Sequence, residues 1–241
     1  MGKFASMKDN IITVIIPAYN EEKSIGKVIQ DIPGDSINHV IVVNNNSTDN
    51  TTEVAKNAGA IVLSEDRKGY GWACLKGIEY SKTLQTDIIV FMDGDYSDYP
   101  EEITKVLAPI LEKDFDMVIG SRVLGKREKG ALTPQQVFGN WLATRLIKLV
   151  YKAKFTDLGP FRAIKSDALE VLNMTDKTYG WTIEMQIKAV KKKMLFCEVP
   201  VNYRKRIGVS KVSGTIKGTL LAGIKIIFAI WKYRLKQKNI N

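Results

Sequence analysis

Five short apolar runs rich in β-branched residues constrain this chain most: IITVIIP (11–17), HVIVVN (39–44), AIVL (60–63), DIIVFMD (87–93) and DMVIGS (116–121). Helix-patterned segments separate them, over 22–32, 48–58, 71–81 and 100–112. Strands that are apolar throughout need cover on both faces, and joining them in parallel takes a crossover helix. The alternation therefore predicts an α/β fold, Rossmann-like, with a mostly parallel sheet and helices on both faces. In such sheets ligands gather beyond the carboxyl ends of the strands.

One of those ends is unusual. FMDGDYSDYP (91–100) packs Asp93, Asp95 and Asp98 into six positions directly after an apolar strand. Like charges crowded at a strand tip repel one another and lose hydration, so the arrangement calls for a cation. Side chains two apart on extended backbone share a face, so Asp93 and Asp95 can address one ion. Carboxylate oxygens with open coordination positions suit Mg²⁺ or Mn²⁺ bridging to phosphate. A second Asp-x-Asp, Asp114 with Asp116, serves as an internal comparison. It precedes its strand, at the edge where no ligand crevice is expected.

Other strand ends carry short polar side chains, in PAYNEE (17–22) and NNNSTD (44–49). These suit a nucleobase and ribose, and equally suit turns and helix caps. EDRKGYGWA (65–73) sets Gly69 and Gly71 behind Arg67 and Lys68, at a spacing that is neither a P-loop nor a dinucleotide fingerprint. The lone His39 beside a strand start reads as structural. Cys74 and Cys197 read as reduced thiols of a cytosolic protein, and MGKFASMKDN lacks the apolar core of a signal peptide.

The second half reads as a charged loop (124–132), a helix (134–151), a loop (156–162), a helix from Ser166, a helix (181–190) and a strand (194–201). Without repeats or low-complexity linkers, it predicts one catalytic domain over 11–214 behind a disordered 1–10. Residues 215–241 are expected to form an amphipathic basic helix and tail, with Ile216, Leu220, Ile224, Ile227 and Trp231 at helical spacing. The helix is too short in apolar residues to span a bilayer. It is expected to lie at the membrane surface through 215–236, the alternative being packing on its own core. Net charge is −8 over 1–120 and +18 over 121–241, which points to an anionic partner for the second half. No recognition motif makes that partner a nucleic acid.

In order and spacing, PAYNEE, VVNNNSTD, FMDGDYSDYP and DMVIGSR resemble glycosyltransferase family 2 of the GT-A fold. TDLGPFRAI, GWTIEM and VPVNYRKRIGVSKVSG are similar to its polyprenyl-phosphate sugar synthase branch, relatives of dolichyl-phosphate mannose and glucose synthases. The resemblance runs from about Ile11 to Gly218. It implies a nucleotide sugar donor, UDP- or GDP-linked, a divalent metal and inversion at the anomeric carbon. Residue by residue, it implies a nucleotide-sugar site at Pro17, Tyr19, Glu21, Asn44, Asn45, Lys68, Gly69, Asp93, Gly94 and Asp95. Asp93 and Asp95 would be the metal ligands. Arg122, Arg162, Arg206, Ser210 and Lys211 would bind the acceptor phosphate or form a closing loop. Asn44 and Asn45 stand where relatives usually carry Asp, and Ser97 where mannose synthases often carry Gln, so base and sugar stay open.

A phosphate acceptor is already ionised near pH 7 and needs positioning rather than a base. Asp95 and Arg162 then carry the reaction. Asp157 and Glu184 are fallback bases for a hydroxyl acceptor, or orienting partners of a nearby Arg. The expected activity is hexose transfer to a polyprenyl or dolichyl phosphate at the cytoplasmic membrane face, with homo-oligomerisation left open. The alternatives are transfer to a glycan hydroxyl and, remotely, a non-catalytic nucleotide-sugar binder.

Overall fold

The computed structural model of the 241-residue chain describes residues 10–208 and 228–234. Seven strands form one sheet: β1 (Ile12–Ala18), β2 (His39–Asn44), β3 (Ile61–Ser64), β4 (Ile88–Phe91), β5 (Met117–Ser121), β6 (Arg162–Lys165) and β7 (Phe196–Pro200). Their order is β3-β2-β1-β4-β6-β5-β7, parallel except that β6 opposes both neighbours. Helices α1 (Ile25–Gln30), α2 (Thr51–Asn57) and α4 (Ile103–Lys113) cover one face. The other carries α3 (Tyr70–Thr83), α5 (Pro134–Tyr151), α6 (Ser166–Leu172) and α7 (Trp181–Lys191).

β1 shows why both faces are covered. Its Val14 and Ile16 enter one core and its Ile15 the other, all fully buried. The period of two is hidden in the sequence because both sides are apolar. His39 opens β2 opposite Thr13, in a structural position.

β6 is the element that sequence patterning did not reveal. Residues 162–165, RAIK, are too few and too mixed to show a period, yet they pair with both β4 and β5. The strand matters for the site. Running antiparallel, it enters the sheet at the edge where the parallel strands leave it. The loop 156–161 is thereby delivered beside the ends of β1, β4 and β5, with Arg162 in register with Phe91 and Ile119.

The Asp114–Asp116 pair lies at the opposite edge, before β5, where Lys165 Nζ reaches Asp114 at 2.5 Å and Asp116 at 3.8 Å. It is neutralised by a surface lysine and meets no ligand crevice.

The expectations for residues 1–9, for Ser210 and Lys211, and for most of 215–236 fall outside the described residues. Residues 228–234 are helical, with Ala229, Ile230 and Tyr233 buried in the domain core. Tyr151 donates its hydroxyl hydrogen to the Ile230 carbonyl at 2.5 Å. Trp231, expected on the apolar stripe, is exposed beside Phe228. Among the described residues no helix is long and apolar enough to cross a membrane.

Candidate active site

The acidic segment leaves β4 and turns beneath the loops that follow β1 and β5. Asp95 is 3% exposed and Asp98 1%. Asp95 Oδ1 accepts hydrogen bonds from the Ser97 amide (2.9 Å) and hydroxyl (2.5 Å). Neither carboxylate oxygen of Asp98 has a hydrogen-bond partner. Burial, then the neighbouring Asp95 charge, pushes the Asp93 carboxyl up to about 7, although Arg206 and Arg122 pull the other way. Burial followed by Asp93 and Asp95 raises Asp98 well above the carboxylate range.

Two buried carboxylates, Asp95 and Asp98, beside the half-buried Asp93, with the ionisation of Asp93 and Asp98 disfavoured, fit a cation site. No three carboxylate, histidine or cysteine side chains among the described residues form a complete protein cage for a metal. Mg²⁺ or Mn²⁺ can be held through one or two carboxylates while substrate phosphates fill other positions. Asp93 and Asp95 are the residues that could hold it. Asp98, counted among the crowded aspartates but given no role of its own, is buried in the turn. Its signal was present as the third aspartate of the stretch.

The segment 201–208 straps this acidic turn. Arg204 N donates to the Ser97 carbonyl and Ile207 N to the Asp95 carbonyl, both at 2.9 Å. Arg204 Nε reaches the Tyr96 carbonyl at 2.7 Å, and its guanidinium lies 3.4 Å from the Tyr96 ring centroid and 4.3 Å from that of Tyr99. Arg206 pairs directly with Asp95 Oδ2. On its other edge the strap holds the loop after β5, where Tyr203 N bonds the Lys126 carbonyl and Glu128 N bonds the Tyr203 carbonyl, each at 2.9 Å.

Arg122 is gripped by Asp157. Its backbone N and Nε each donate to Oδ2 at 2.8 Å, and its terminal nitrogen donates to Oδ1 at 2.6 Å. Burial alone would raise Asp157, but Arg122 outweighs it and holds the carboxyl below its ordinary value. Asp157 is thus an orienting partner rather than a free base.

Two expected site residues have surroundings that the sequence did not suggest. Arg162 is fully buried, not poised for an acceptor phosphate. It donates to the carbonyls of Thr182 and Gly159, its Nε is unpartnered, and burial lowers its pKa to about 10. Glu184 is equally enclosed and already saturated. It accepts from Thr175 N (3.0 Å), Thr175 Oγ1 (2.6 Å), Asp176 N (2.6 Å), Tyr233 OH (2.6 Å) and Lys188 Nζ (2.7 Å). A carboxylate so occupied ties loop 175–176 and residues 228–234 to α7.

On the nucleotide side, Tyr19 is exposed at the end of β1, while Glu21 accepts from Ser24 Oγ at 3.0 Å. Gly94 is buried behind Asp93, against Ile16 and Ile25. Asn44 bonds Thr52 and Ser47, and Asn45 spends both amide hydrogens on the Glu65 and Arg67 carbonyls, all at 2.8–2.9 Å. Asn45 Oδ1 also accepts from Gly69 N at 2.8 Å. These asparagines shape the crevice by tying 44–47 to 65–69, with Lys68 exposed on the rim. Gly69 and Gly71 have a packing reason: a Cβ on either would strike the backbone carbonyl of Lys177 or Asp176. Trp72 is sandwiched between Arg67 (3.6 Å) and Lys177 (4.1 Å).

A separate cavity of about 630 Å³ lies between α3 and α6, lined by Leu75, Ile78, Thr86, Leu169 and Met174. It adjoins the start of β4, at the far end of that strand from the acidic turn, and takes no part in this chemistry.

Comparisons with known proteins agree with this geometry. The profile of Glycosyl transferase family 2 matches residues 13–172. The UDP-N-acetylglucosamine–dolichyl-phosphate N-acetylglucosaminyltransferase of Methanococcus voltae is 31% identical, over 81% of this chain and 86% of its own. An undecaprenyl-phosphate mannosyltransferase of Micrococcus luteus is 28% identical, over 88% and 92%. Among solved structures, glucosyl-3-phosphoglycerate synthase from Mycobacterium tuberculosis, in complex with Mn²⁺, UDP and glucosyl-3-phosphoglycerate, superposes with a TM-score of 0.75. It is 20% identical, and the match covers 96% of this chain and 82% of that one, a likeness of fold. With its GT-A sheet, its acidic turn after β4 and a family match over most of its length, the chain belongs to glycosyltransferase family 2, resembling the polyprenyl-phosphate sugar synthase branch.

Proposed function

We propose that the protein transfers one hexose, with inversion, from a UDP- or GDP-sugar to a polyprenyl or dolichyl phosphate at the cytoplasmic face of a membrane. The observation that carries the reading is a mismatch of charges at the site. Guanidinium groups gather around the acidic turn, while both candidate bases, Asp157 and Glu184, are already committed. Asp98 is too deeply buried to touch an acceptor. Such a site suits an acceptor that arrives ionised, as a phosphate monoester with a second pKa of about 6 does.

The residues divide the work. The crevice between 17–21, 44–47 and 65–69 receives the nucleoside. Mg²⁺ or Mn²⁺ held by Asp93 and Asp95 would supply charge neutralisation for the departing diphosphate. Asp157 fixes Arg122, so that positive charge is present without reorganisation when the transition state forms. Arg206 pairs with Asp95, and Lys126 and Arg127 lie on the loop that pairs with Tyr203 of the strap. Positioning a charged nucleophile against the anomeric carbon supplies the acceleration, with no proton to remove.

Membrane contact is supported by exposed aromatic residues beside basic ones. On α5, Phe138 and Trp141 stand 60% and 51% exposed, their rings 5.8 Å apart, with Arg145 over Trp141. Phe228 and Trp231 are exposed on the segment bonded to Tyr151, the last residue of α5. Aromatic groups with flanking cations favour the headgroup region of an anionic bilayer.

The test is a transfer assay with radiolabelled UDP- and GDP-sugars, Mn²⁺ and polyprenyl phosphate. Label should enter an organic-extractable product that mild acid releases. Label confined to water-soluble or protein-bound product would overturn the acceptor assignment.

A further inference from the structure

The two oxygens of Asp95 have different neighbours. Oδ1 is fixed by the Ser97 amide and hydroxyl, which sets the plane of the carboxylate. Oδ2 pairs with the Arg206 guanidinium, in a contact where Asp95 is 5% and Arg206 26% exposed. This is the oxygen left to a metal. A guanidinium and a divalent ion seated on one carboxylate oxygen would repel each other at close range. The charges of Asp93 and Glu21 also act on Arg206.

The backbone on either side of Arg206 is held independently of its side chain. Ile207 N bonds the Asp95 carbonyl and Arg204 N the Ser97 carbonyl. Arg204 is further fixed by its contacts to Tyr96 and Tyr99. The Arg206 side chain can therefore swing away from Asp95 while the strap stays in place.

We propose that Arg206 is the resident counter-ion of Asp95, that a divalent ion must displace it to enter, and that the displaced guanidinium passes to the diphosphate arriving with the ion. The proposal rests on the donor-site reading above and adds an order to it. Free metal is resisted, because displacing Arg206 breaks a charge-assisted pair and gives the guanidinium no new partner. Metal with a nucleoside diphosphate is accepted, because the phosphate oxygens supply that partner. Asp95 is thereby protected from idle occupation by metal.

The experiment is titration of the full chain with Mn²⁺ alone, followed by the paramagnetic resonance signal of the free ion, then with Mn²⁺ plus UDP or GDP. Arg206→Gln should bind Mn²⁺ alone about tenfold more tightly than the wild type, the scale of losing one charged hydrogen bond. Its gain from added nucleoside diphosphate should shrink. Arg206→Lys, which keeps the charge but not the fork, should fall between the two and decides the matter should the Gln variant not fold. Equal or weaker Mn²⁺ binding in both variants overturns the proposal, while nucleotide-dependent Mn²⁺ binding in the wild type leaves the donor site standing. No Mn²⁺ binding to any form, with or without UDP or GDP, overturns the donor-site reading and the proposal together.

Discussion

Replacing Glu184 separates a structural carboxylate from a chemical one. Its two oxygens, fully buried, receive hydrogen bonds from two backbone amides, two hydroxyls and the Lys188 ammonium. In Glu184→Gln one oxygen becomes an amide nitrogen, a donor facing donors, whichever way the group turns. At least one buried N–H or O–H then loses its acceptor, at about 1–3 kcal/mol. The neutralised side chain also leaves Lys188, 17% exposed, without its ion pair. Together these give about 3 kcal/mol, which for a domain of this size lowers Tm by roughly 6–12 °C.

The pH dependence has a definite sign. Burial raises the Glu184 pKa, but hydrogen bonds from Lys188, Thr175 and Tyr233 outweigh it and leave it below its ordinary 4.5. A depressed carboxyl stabilises the fold above that value and loses its contribution as pH falls through the folded pKa. Urea denaturation of both proteins should therefore show a constant gap at neutral pH that narrows in acid below about 4.5. Turnover of Glu184→Gln, measured well below its melting temperature, should stay within a few-fold of wild type. A variant as stable as wild type that had lost its turnover would refute the structural assignment and return Glu184 to the chemistry.

Asp157→Asn should release the bidentate grip on Arg122, lowering kcat by about tenfold or more while Mn²⁺–nucleotide affinity, read by calorimetry, stays near wild type. Loss of donor affinity instead would mean that Asp157 serves the nucleotide. The double substitution Phe138→Ser with Trp141→Ser should leave Tm within a few degrees, since both side chains are largely exposed, and should abolish flotation with anionic vesicles. Unchanged flotation would remove α5 from the membrane contact.

What the sequence made legible follows from how local each signal is. β1 to β5 and the acidic turn announce themselves in runs of four to ten residues, where hydrophobicity and charge crowding need no knowledge of distant neighbours. Arg162 failed that test. It ends the loop stretch TDLGPFR and looks like a phosphate ligand, but β6 turns it inward between β4 and β5. Four residues of mixed polarity cannot reveal a strand whose existence depends on partners more than forty positions away. Glu184 lies on a helix whose pattern marks an apolar face without saying that a carboxylate will be buried and capped by Tyr233. The Gly69–Gly71 pair matched no phosphate-binding spacing; its cause is the approach of the 176–177 backbone, about a hundred residues later. Asp98 was visible as a residue, but only the fold shows its oxygens aimed into the acidic turn without partners.

The most direct trial is isothermal calorimetry of a panel of UDP- and GDP-sugars against the wild-type chain and Asp95→Asn, each with Mn²⁺ and with chelator. The account predicts that the wild type binds at least one sugar nucleotide only when Mn²⁺ is present, and that Asp95→Asn binds none comparably. Equal heats with chelator, or an Asp95→Asn variant indistinguishable from wild type, would contradict the claim that the turn after β4 grips a diphosphate through a divalent ion.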